Sequence, residues 1–109
     1  MSLFKRKEKD NKSKSIPTMT SFDRIIYKDV KSNSDDVLYD VADTVLKGNP
    51  VLVNFDIDKQ DANRMLAFLS GIVYSTEGRI FRVETRLFLL ARKEEFEDGT
   101  LFQYVEDLK

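Results

Sequence analysis

A short apolar run, VLVNF at residues 51–55, is the feature that most constrains the fold of this chain. A run this short and this apolar, placed directly after Gly48 and Pro50, predicts a strand buried inside a sheet. The segments on both sides carry a different pattern, in which apolar residues recur every three to four positions. Alternation of strand and helix patterns predicts an α/β fold.

Two helices are predicted on either side of that strand. Asn33, Ser34 or Asp35 can cap the first, which Gly48 ends, and Asp58 is the candidate N-cap of the second, which extends to about Ser75. The apolar stripes are Val37, Leu38, Val41, Ala42, Val45 and Leu46 in the first helix and Ala62, Met65, Leu66, Leu69, Ile72 and Val73 in the second.

Three more strands complete the pattern, at residues 25–27 (IIY), 80–83 (IFRV) and 87–91 (LFLLA), with Gly78 in the turn before the last two. The last two strands read as an antiparallel pair. The order β-α-β-α-β-β predicts a two-layer α/β sandwich, in which a small mixed sheet carries both helices on one face.

The last strand is apolar on both sides, so one layer of helices cannot cover it. Alternation places Leu87, Leu89 and Ala91 on one face of the sheet and Phe88 and Leu90 on the other. We expect Phe88 and Leu90 to lie on the face that the helices leave uncovered, where they form a partner surface. In the alternative, the C-terminal segment folds over that face as a short helix, with a capping-box pair at Thr100 and Gln103 and an apolar stripe of Leu101, Phe102, Val105 and Leu108.

Charge divides the chain into three parts. Residues 1–15 hold six basic and two acidic side chains, a net charge of +4, whereas residues 93–109 hold two basic and six acidic ones, a net charge of −4. We therefore predict a flexible basic arm at residues 1–21, a core domain at 22–92 and an acidic tail at 93–109. The arm is interpreted either as a membrane tether or as a merely solvated segment. The start of the chain has no signal peptide pattern, which favours a cytoplasmic protein.

The residues that most enzymes use are missing. The chain has no Cys and no His, which removes thiolate catalysis, disulfides and the commonest general base and metal ligand. Helix capping explains Asp56, Asp58 and Asp61 more simply than a metal site does, and the chain has no Gly-rich phosphate loop. We expect no catalytic residues, no metal and no cofactor.

Four arginines lie on the last two strands and predict a basic face for nucleic acid or for an acidic peptide: Arg79, Arg82, Arg86 and Arg92. Because residues 22–92 carry a small net negative charge, nucleic acid is the weaker choice and none is expected as a partner.

A pair of small residues, Ala67 and Gly71, lies one turn apart on the second helix beside Phe68. A glycine inside a helix costs about 1 kcal/mol relative to alanine, so a compensating contact is expected. That contact is either a helix of a second copy or a bulky group in the same domain.

Three stretches, PVLVNF at residues 50–55, DANRMLAFLSGIVY at 61–74 and LFL at 87–89, together resemble the SepF family of bacterial and archaeal cell-division proteins. The similarity covers about residues 22–92. It implies a compact α/β domain that dimerises and can polymerise, follows a membrane-binding N-terminal segment and links FtsZ to the cytoplasmic membrane during septum formation. The implied location is the inner face of the membrane at the division site.

The resemblance also implies roles for particular residues. Ala62 and Phe88 match the family positions for binding the C-terminal tail of FtsZ, and Gly71, beside Ala67 and Phe68, matches the position for self-association. Arg64 is added to the tail-binding set from its position alone. The resemblance implies an anionic membrane surface as a weak partner, and in the arm the candidate contacts are Leu3, Phe4, Lys5, Arg6 and Lys7.

Two other functions compete with this adaptor. The first is a dimeric regulatory domain that binds a small molecule without catalysis, although the lack of convergent polar residues argues against it. The second is an enzyme that uses Asp56, Asp58 or Glu77 with Arg79, for which the sequence offers no second group at a defined distance.

Overall fold

A four-stranded mixed sheet with three helices forms the part of the chain that the computed structural model describes, residues 19–108. The strands are β1 (Ile26–Val30), β2 (Val51–Phe55), β3 (Arg79–Glu84) and β4 (Leu87–Ala91), and the helices are α1 (Asp35–Leu46), α2 (Lys59–Ser75) and α3 (Thr100–Asp107). One-turn 3-10 helices lie at Phe22–Arg24 and Lys93–Phe96. The predicted fold class, the order β-α-β-α-β-β and the additional C-terminal helix are confirmed.

The sheet has the strand order β1-β2-β4-β3. β1 runs parallel to β2, as a β-α-β crossover requires, whereas β4 is antiparallel to both of its neighbours. β1 extends to Val30, three residues beyond the predicted end at Tyr27. The pattern missed these residues because they include Lys28 and Asp29, whose side chains bond to Asp40 at 2.8 Å and to Asn54 at 3.1 Å.

Helices α1 and α2 cover one face of the sheet, and their predicted ends are confirmed. The Ser34 hydroxyl accepts a bond from the Val37 amide at 3.4 Å, and the Asp58 carboxylate accepts one from the Gln60 amide at 3.0 Å. Gly48 follows α1 with φ +99°, which a glycine adopts readily. The core under these helices is formed by Val30, Leu38, Val41, Ala42, Val45, Val51, Val53, Phe55, Met65, Leu69, Val73 and Leu90.

The expectation that Phe88 and Leu90 lie on the uncovered face is wrong. β4 pairs with β2 so that Phe88 stands opposite Val53 and Leu90 opposite Val51. Residues directly opposite each other point to the same face of a sheet, and the two valines lie under the helices. Alternation along β4 defines two sets of side chains, but only the pairing decides which set the helices cover.

The other face of the sheet is covered by the C-terminal segment, as the alternative proposed, although the covered side chains differ. Leu89 and Ala91 form a second apolar cluster with Phe96 and Leu101. Phe102 joins its edge, with its ring centroid 4.9 Å from that of Phe96. The acidic tail therefore contributes apolar side chains to the fold, and its charged side chains are mainly exposed.

The predicted capping box at Thr100 and Gln103 is wrong. The N-cap of α3 is Gly99, with φ 80°, and it makes no side-chain cap bond. The Asp98 carboxylate takes that role: one oxygen accepts bonds from the Thr100 amide at 2.9 Å and hydroxyl at 2.8 Å, and the other accepts one from the Ser21 amide at 2.8 Å. These donors stabilise the ionised form and lower the pKa of Asp98 to about 2.

A buried ion pair connects the end of α1 to the C-terminal segment. The Arg92 guanidinium donates two bonds to the Glu95 carboxylate, each at 3.0 Å, and the Glu95 side chain is only 5% exposed. Arg24 donates to the Gly48 carbonyl, and the third guanidinium nitrogen of Arg92 donates to the Leu46 carbonyl oxygen at 3.5 Å. Two arginines thus lie at carbonyl groups at the C-terminus of α1 and just beyond it, where a helix favours positive charge.

The division of the chain at residues 21/22 and 92/93 stays a prediction. The arm falls almost entirely outside the described residues, and so do Leu3, Phe4, Lys5, Arg6 and Lys7. Within residues 19–108, no helix is both long and apolar enough to cross a lipid bilayer.

Candidate functional site

An open groove of about 410 Å³ lies between the first turns of α2 and the paired strands β3 and β4. Phe55, at the end of β2, and Leu66 and Phe88 contribute its apolar surface, and Ala62 contributes a small side chain on the α2 side. Lys59, Arg82 and Arg86 add positive charge. We call this feature the α2–β4 groove.

The two residues predicted for tail binding, Ala62 and Phe88, meet in this groove. Phe88 is half-buried, and its ring packs edge to face on Phe55 with centroids 5.9 Å apart. Ala62 is also half-buried, at a position of α2 where a longer side chain would project into the groove. The β4 side of the groove is therefore aromatic, and the α2 side carries a short side chain that leaves the groove open.

Arg82 on β3 and Arg86 in the turn between β3 and β4 provide, with Lys59, the positive charge at this groove. The Arg82 guanidinium carbon lies 5.8 Å from the centroid of the Phe88 ring, and one of its nitrogens donates to the Thr85 carbonyl at 3.0 Å. Arg86 donates to the carbonyl groups of Phe55 at 3.1 Å and Ile57 at 2.8 Å. Backbone contacts hold both cations beside an apolar surface, an arrangement that favours an acidic, partly apolar ligand.

The other two arginines of the predicted basic face lie elsewhere. Arg79 lies over the ring of Phe102, 5.8 Å from its centroid, and Arg92 pairs with Glu95. Alternation along β3 puts Arg79 and Arg82 on opposite faces, and the pairing of β3 with β4 decides that the face of Arg82 is the one that carries Phe88.

Arg64 lies outside the groove. It is two residues from Ala62, about 200° around the helix, and its guanidinium donates to the Asn33 carbonyl at 3.0 Å. Conversely, Lys59, Phe55 and Leu66 line the groove without having been predicted for it. The apolar pattern identified Phe55 and Leu66 only as strand and core residues.

The three residues predicted for self-association lie together on the outer side of α2. Ala67 and Gly71 are exposed, and Phe68 is 42% exposed with its ring centroid 6.0 Å from that of Tyr39 on α1. A Cβ atom added at Gly71 would meet no atom within 4 Å, so no group in the described part of the chain requires glycine there. The interpretation that Gly71 makes room for a neighbour in its own domain is therefore wrong.

The acidic residues before and in α2 have local partners. Asp56 pairs with Lys31 at 2.8 Å, Asp58 caps the helix, and Asp61 accepts a bond from Asn33 at 3.1 Å. Within residues 19–108, no group of three or more Asp or Glu side chains is arranged to hold a metal ion. The structure thus explains these carboxylates by ion pairing and capping.

The sequence profile of the family described as "Cell division protein SepF" matches residues 28–94, which include both walls of the groove and the outer face of α2. Among curated proteins, the chain is 31% identical to the "Cell division protein SepF" of Ruminiclostridium cellulolyticum, across 93% of this chain and 69% of that protein.

Two other relatives carry the same description. The protein from Lachnoclostridium phytofermentans is 30% identical across 79% of this chain, and the one from Staphylococcus aureus is 31% identical across 92%. The chain spans 42% and 50% of their respective lengths. The family profile and the relatives carry the same description, and the chain therefore belongs to the SepF family of cell division proteins.

Proposed function

We propose that this protein is a non-catalytic cell-division adaptor whose α2–β4 groove binds the C-terminal tail of FtsZ. The observation that carries the proposal is the meeting of Ala62 and Phe88 in one groove. The resemblance to SepF implied tail binding at these two positions, which lie 26 residues apart in the sequence. The cations Arg82 and Arg86 complete a site for an acidic peptide with apolar side chains.

The size and composition of the groove support a short peptide segment as the ligand. Its volume of about 410 Å³ lies within the usual range for small ligand sites, and its lining combines an aromatic surface with a few charged groups. An apolar side chain of the tail would contact Phe88, and carboxylates would approach Arg82 and Lys59.

Titration of a fluorescently labelled FtsZ C-terminal peptide with the full chain, followed by anisotropy, tests this site. We expect saturable binding that Ala62→Leu weakens about tenfold or more, because the added side chain occupies the groove. Phe88→Ala is expected to weaken it about thirtyfold, as loss of a central aromatic contact does. Circular dichroism establishes that each variant is folded.

Ala67→Leu is the matched control, because it makes the same change on the outer side of the same helix, away from the groove. Its affinity for the peptide is expected to stay within about twofold of the wild type, a change below 0.5 kcal/mol. If no binding is seen up to about 100 μM of the chain, the binding free energy is weaker than about −5.5 kcal/mol and the adaptor proposal fails. Equal losses of affinity in Ala62→Leu and Ala67→Leu would show that the peptide does not bind in the groove.

Self-association through the outer face of α2 is the second part of the proposal. Ala67 and Gly71 allow a close approach of another backbone, and Phe68 and Tyr39 supply exposed aromatic area beside them. Tyr74, one turn after Gly71, is 61% exposed and extends this face. A second copy of the chain fits a surface of this kind, because two α2 helices can pack across their small residues.

Gly71→Lys is expected to lower the mass measured by multi-angle light scattering to that of a monomer, because the lysine places charge and bulk on the contact. Gly71→Ala serves as the control at the same position and is expected to retain most of the assembly. An assembly of unchanged mass in Gly71→Lys would exclude Gly71 from the interface.

The basic arm is proposed to bring the assembled protein to an anionic membrane surface. Leu3 and Phe4 supply apolar side chains and Lys5, Arg6 and Lys7 supply charge, each basic residue contributing about 1 kcal/mol near such a surface. Self-association would multiply the number of arms in one particle and so strengthen a weak contact.

A further inference from the structure

A second groove, of about 260 Å³, follows the whole length of α3. Its helix side is formed by Thr100, Gln103, Tyr104 and Asp107, which recur at i, i+3, i+4 and i+7 and so lie on one face of the helix. Thr20 and Phe22 form its other side. We call this feature the α3 groove, and it lies beside the point where the described chain begins.

The start of the described chain is held against this groove by three contacts. The Ser21 amide donates to Asp98 at 2.8 Å, and the Phe22 amide donates to the Thr100 hydroxyl at 3.0 Å. The ring of Phe22 packs on Tyr104, with centroids 5.4 Å apart. Because residues 20–22 are fixed here, the preceding residues are present at high effective concentration beside α3.

The charges on α3 are arranged against the preference of the helix itself. Its last turn carries acidic residues, Asp107 among them, and no basic residue. Negative charge near the C-terminus of a helix is unfavourable because the carbonyl groups there already carry partial negative charge. The Asp107 carboxylate accepts a bond from the Gln103 side-chain amide at 2.8 Å, and its exposed negative charge at this unfavourable end of the helix is available to pair with a cationic ligand.

We propose that residues 12–18 of the arm bind along the α3 groove of the same chain. The eight residues of α3 are about 12 Å long, a distance that about four extended residues span. Counting back from Thr20, this places Thr18 and Pro17 beside Tyr104 and Ile16 near Asp107, and the side chain of Lys14, two residues further along, is long enough to reach back to the Asp107 carboxylate. Pro17 also favours an extended backbone for itself and for Ile16, which suits a segment lying along a helix.

This contact has a consequence for the membrane, which rests on the proposed function. Lys12 and Lys14 contribute to the net charge of +4 on residues 1–15, so α3 and an anionic membrane compete for the same side chains. Binding to α3 draws the arm toward the domain, and a membrane releases it. Only a membrane with enough negative surface charge to compete with the acidic tail therefore binds the arm.

Paramagnetic relaxation enhancement in the full chain tests the docking without any membrane. The chain has no cysteine, so Ser15→Cys carries a single nitroxide label on the arm. We expect strong broadening of the amide signals of Gln103, Tyr104 and Asp107. Asp107→Lys is expected to lower the ratio of docked to free arm about two- to fivefold, which is the effect of losing a surface ion pair.

Glu97→Lys is the matched control, since it makes the same charge change on the acidic tail but outside the α3 groove. It is expected to preserve the broadening. Broadening that Asp107→Lys and Glu97→Lys leave equally unchanged would overturn the proposal. So would broadening that appears only when labelled chains are mixed with unlabelled isotopically enriched chains, because the arm would then bind a second copy.

Sedimentation with phosphatidylglycerol vesicles tests the consequence separately. Asp107→Lys is expected to bind these vesicles more strongly than Glu97→Lys, although both variants carry the same net charge. If docking is observed but neither variant binds the vesicles, the arm contact stands and the membrane part of the proposed function fails. Equal binding by the two variants would overturn the competition between α3 and the membrane.

Discussion

Arg92→Met is expected to destabilise the fold by about 3 kcal/mol, because it leaves the buried Glu95 carboxylate without its cation. Methionine keeps the apolar length of the side chain but supplies no donor for the two bonds that Glu95 accepts at 3.0 Å. A loss of this size lowers the melting temperature of a domain this small by more than about 10 °C. Urea unfolding followed by circular dichroism measures it.

The double variant Arg92→Met, Glu95→Met is the control for this prediction. Replacing both members of a buried pair with apolar side chains removes the unpaired charge, and we expect most of the lost stability to return. If Arg92→Met alone changes the free energy of unfolding by less than about 0.5 kcal/mol, as an ordinary surface substitution does, the assigned role of the pair is contradicted.

Gly78→Ala is expected to cost about 3 kcal/mol or more, because the added methyl group has no room. A Cβ atom at this position would lie 2.2 Å from the Ala91 carbonyl oxygen and 2.9 Å from a methyl carbon of Val73. The first neighbour is backbone in the pair of strands β3 and β4, so it cannot move without disturbing the sheet. Thermal unfolding of the purified variant measures the effect.

Gly71→Ala provides the matched control, since it adds the same methyl group where no atom lies within 4 Å. At protein concentrations low enough to keep the chain monomeric, this substitution is expected to stabilise α2 by about 1 kcal/mol, the difference in helix propensity. Equal and small effects at the two glycines would contradict the close contact at Gly78.

Local patterns were sufficient to predict the elements of this fold. The caps at Ser34 and Asp58 are confirmed because a cap depends on residues within one turn of the helix start. β2 was predicted from five residues because four of them are apolar: Val51, Val53 and Phe55 on the buried face and Leu52 on the half-buried one. β1 was predicted too short because the polar side chains of Lys28 and Asp29 are satisfied by residues distant in sequence.

The candidate groove was only partly predictable. Ala62 and Phe88 were selected through the resemblance to SepF, and the structure brings them together. Arg82 and Arg86 appeared in the sequence as two of four equivalent arginines. Alternation along β3 places Arg79 and Arg82 on opposite faces, and the pairing of β3 with β4 sets Arg82 beside Phe88, whereas Arg79 lies over Phe102 and Arg92 pairs with Glu95.

Sequence patterns were enough to predict the class of the fold, the order of its elements and the ends of α1 and α2, because capping and periodicity act over a few residues. Which face of β4 the helices cover, and therefore that Phe88 lies in the α2–β4 groove, followed from the pairing of strands in the folded chain. The packing of the folded chain also places the acidic tail on the opposite face. The alternation of side chains along a strand is symmetric between its two faces, and pairing with strands far along the chain removes that symmetry.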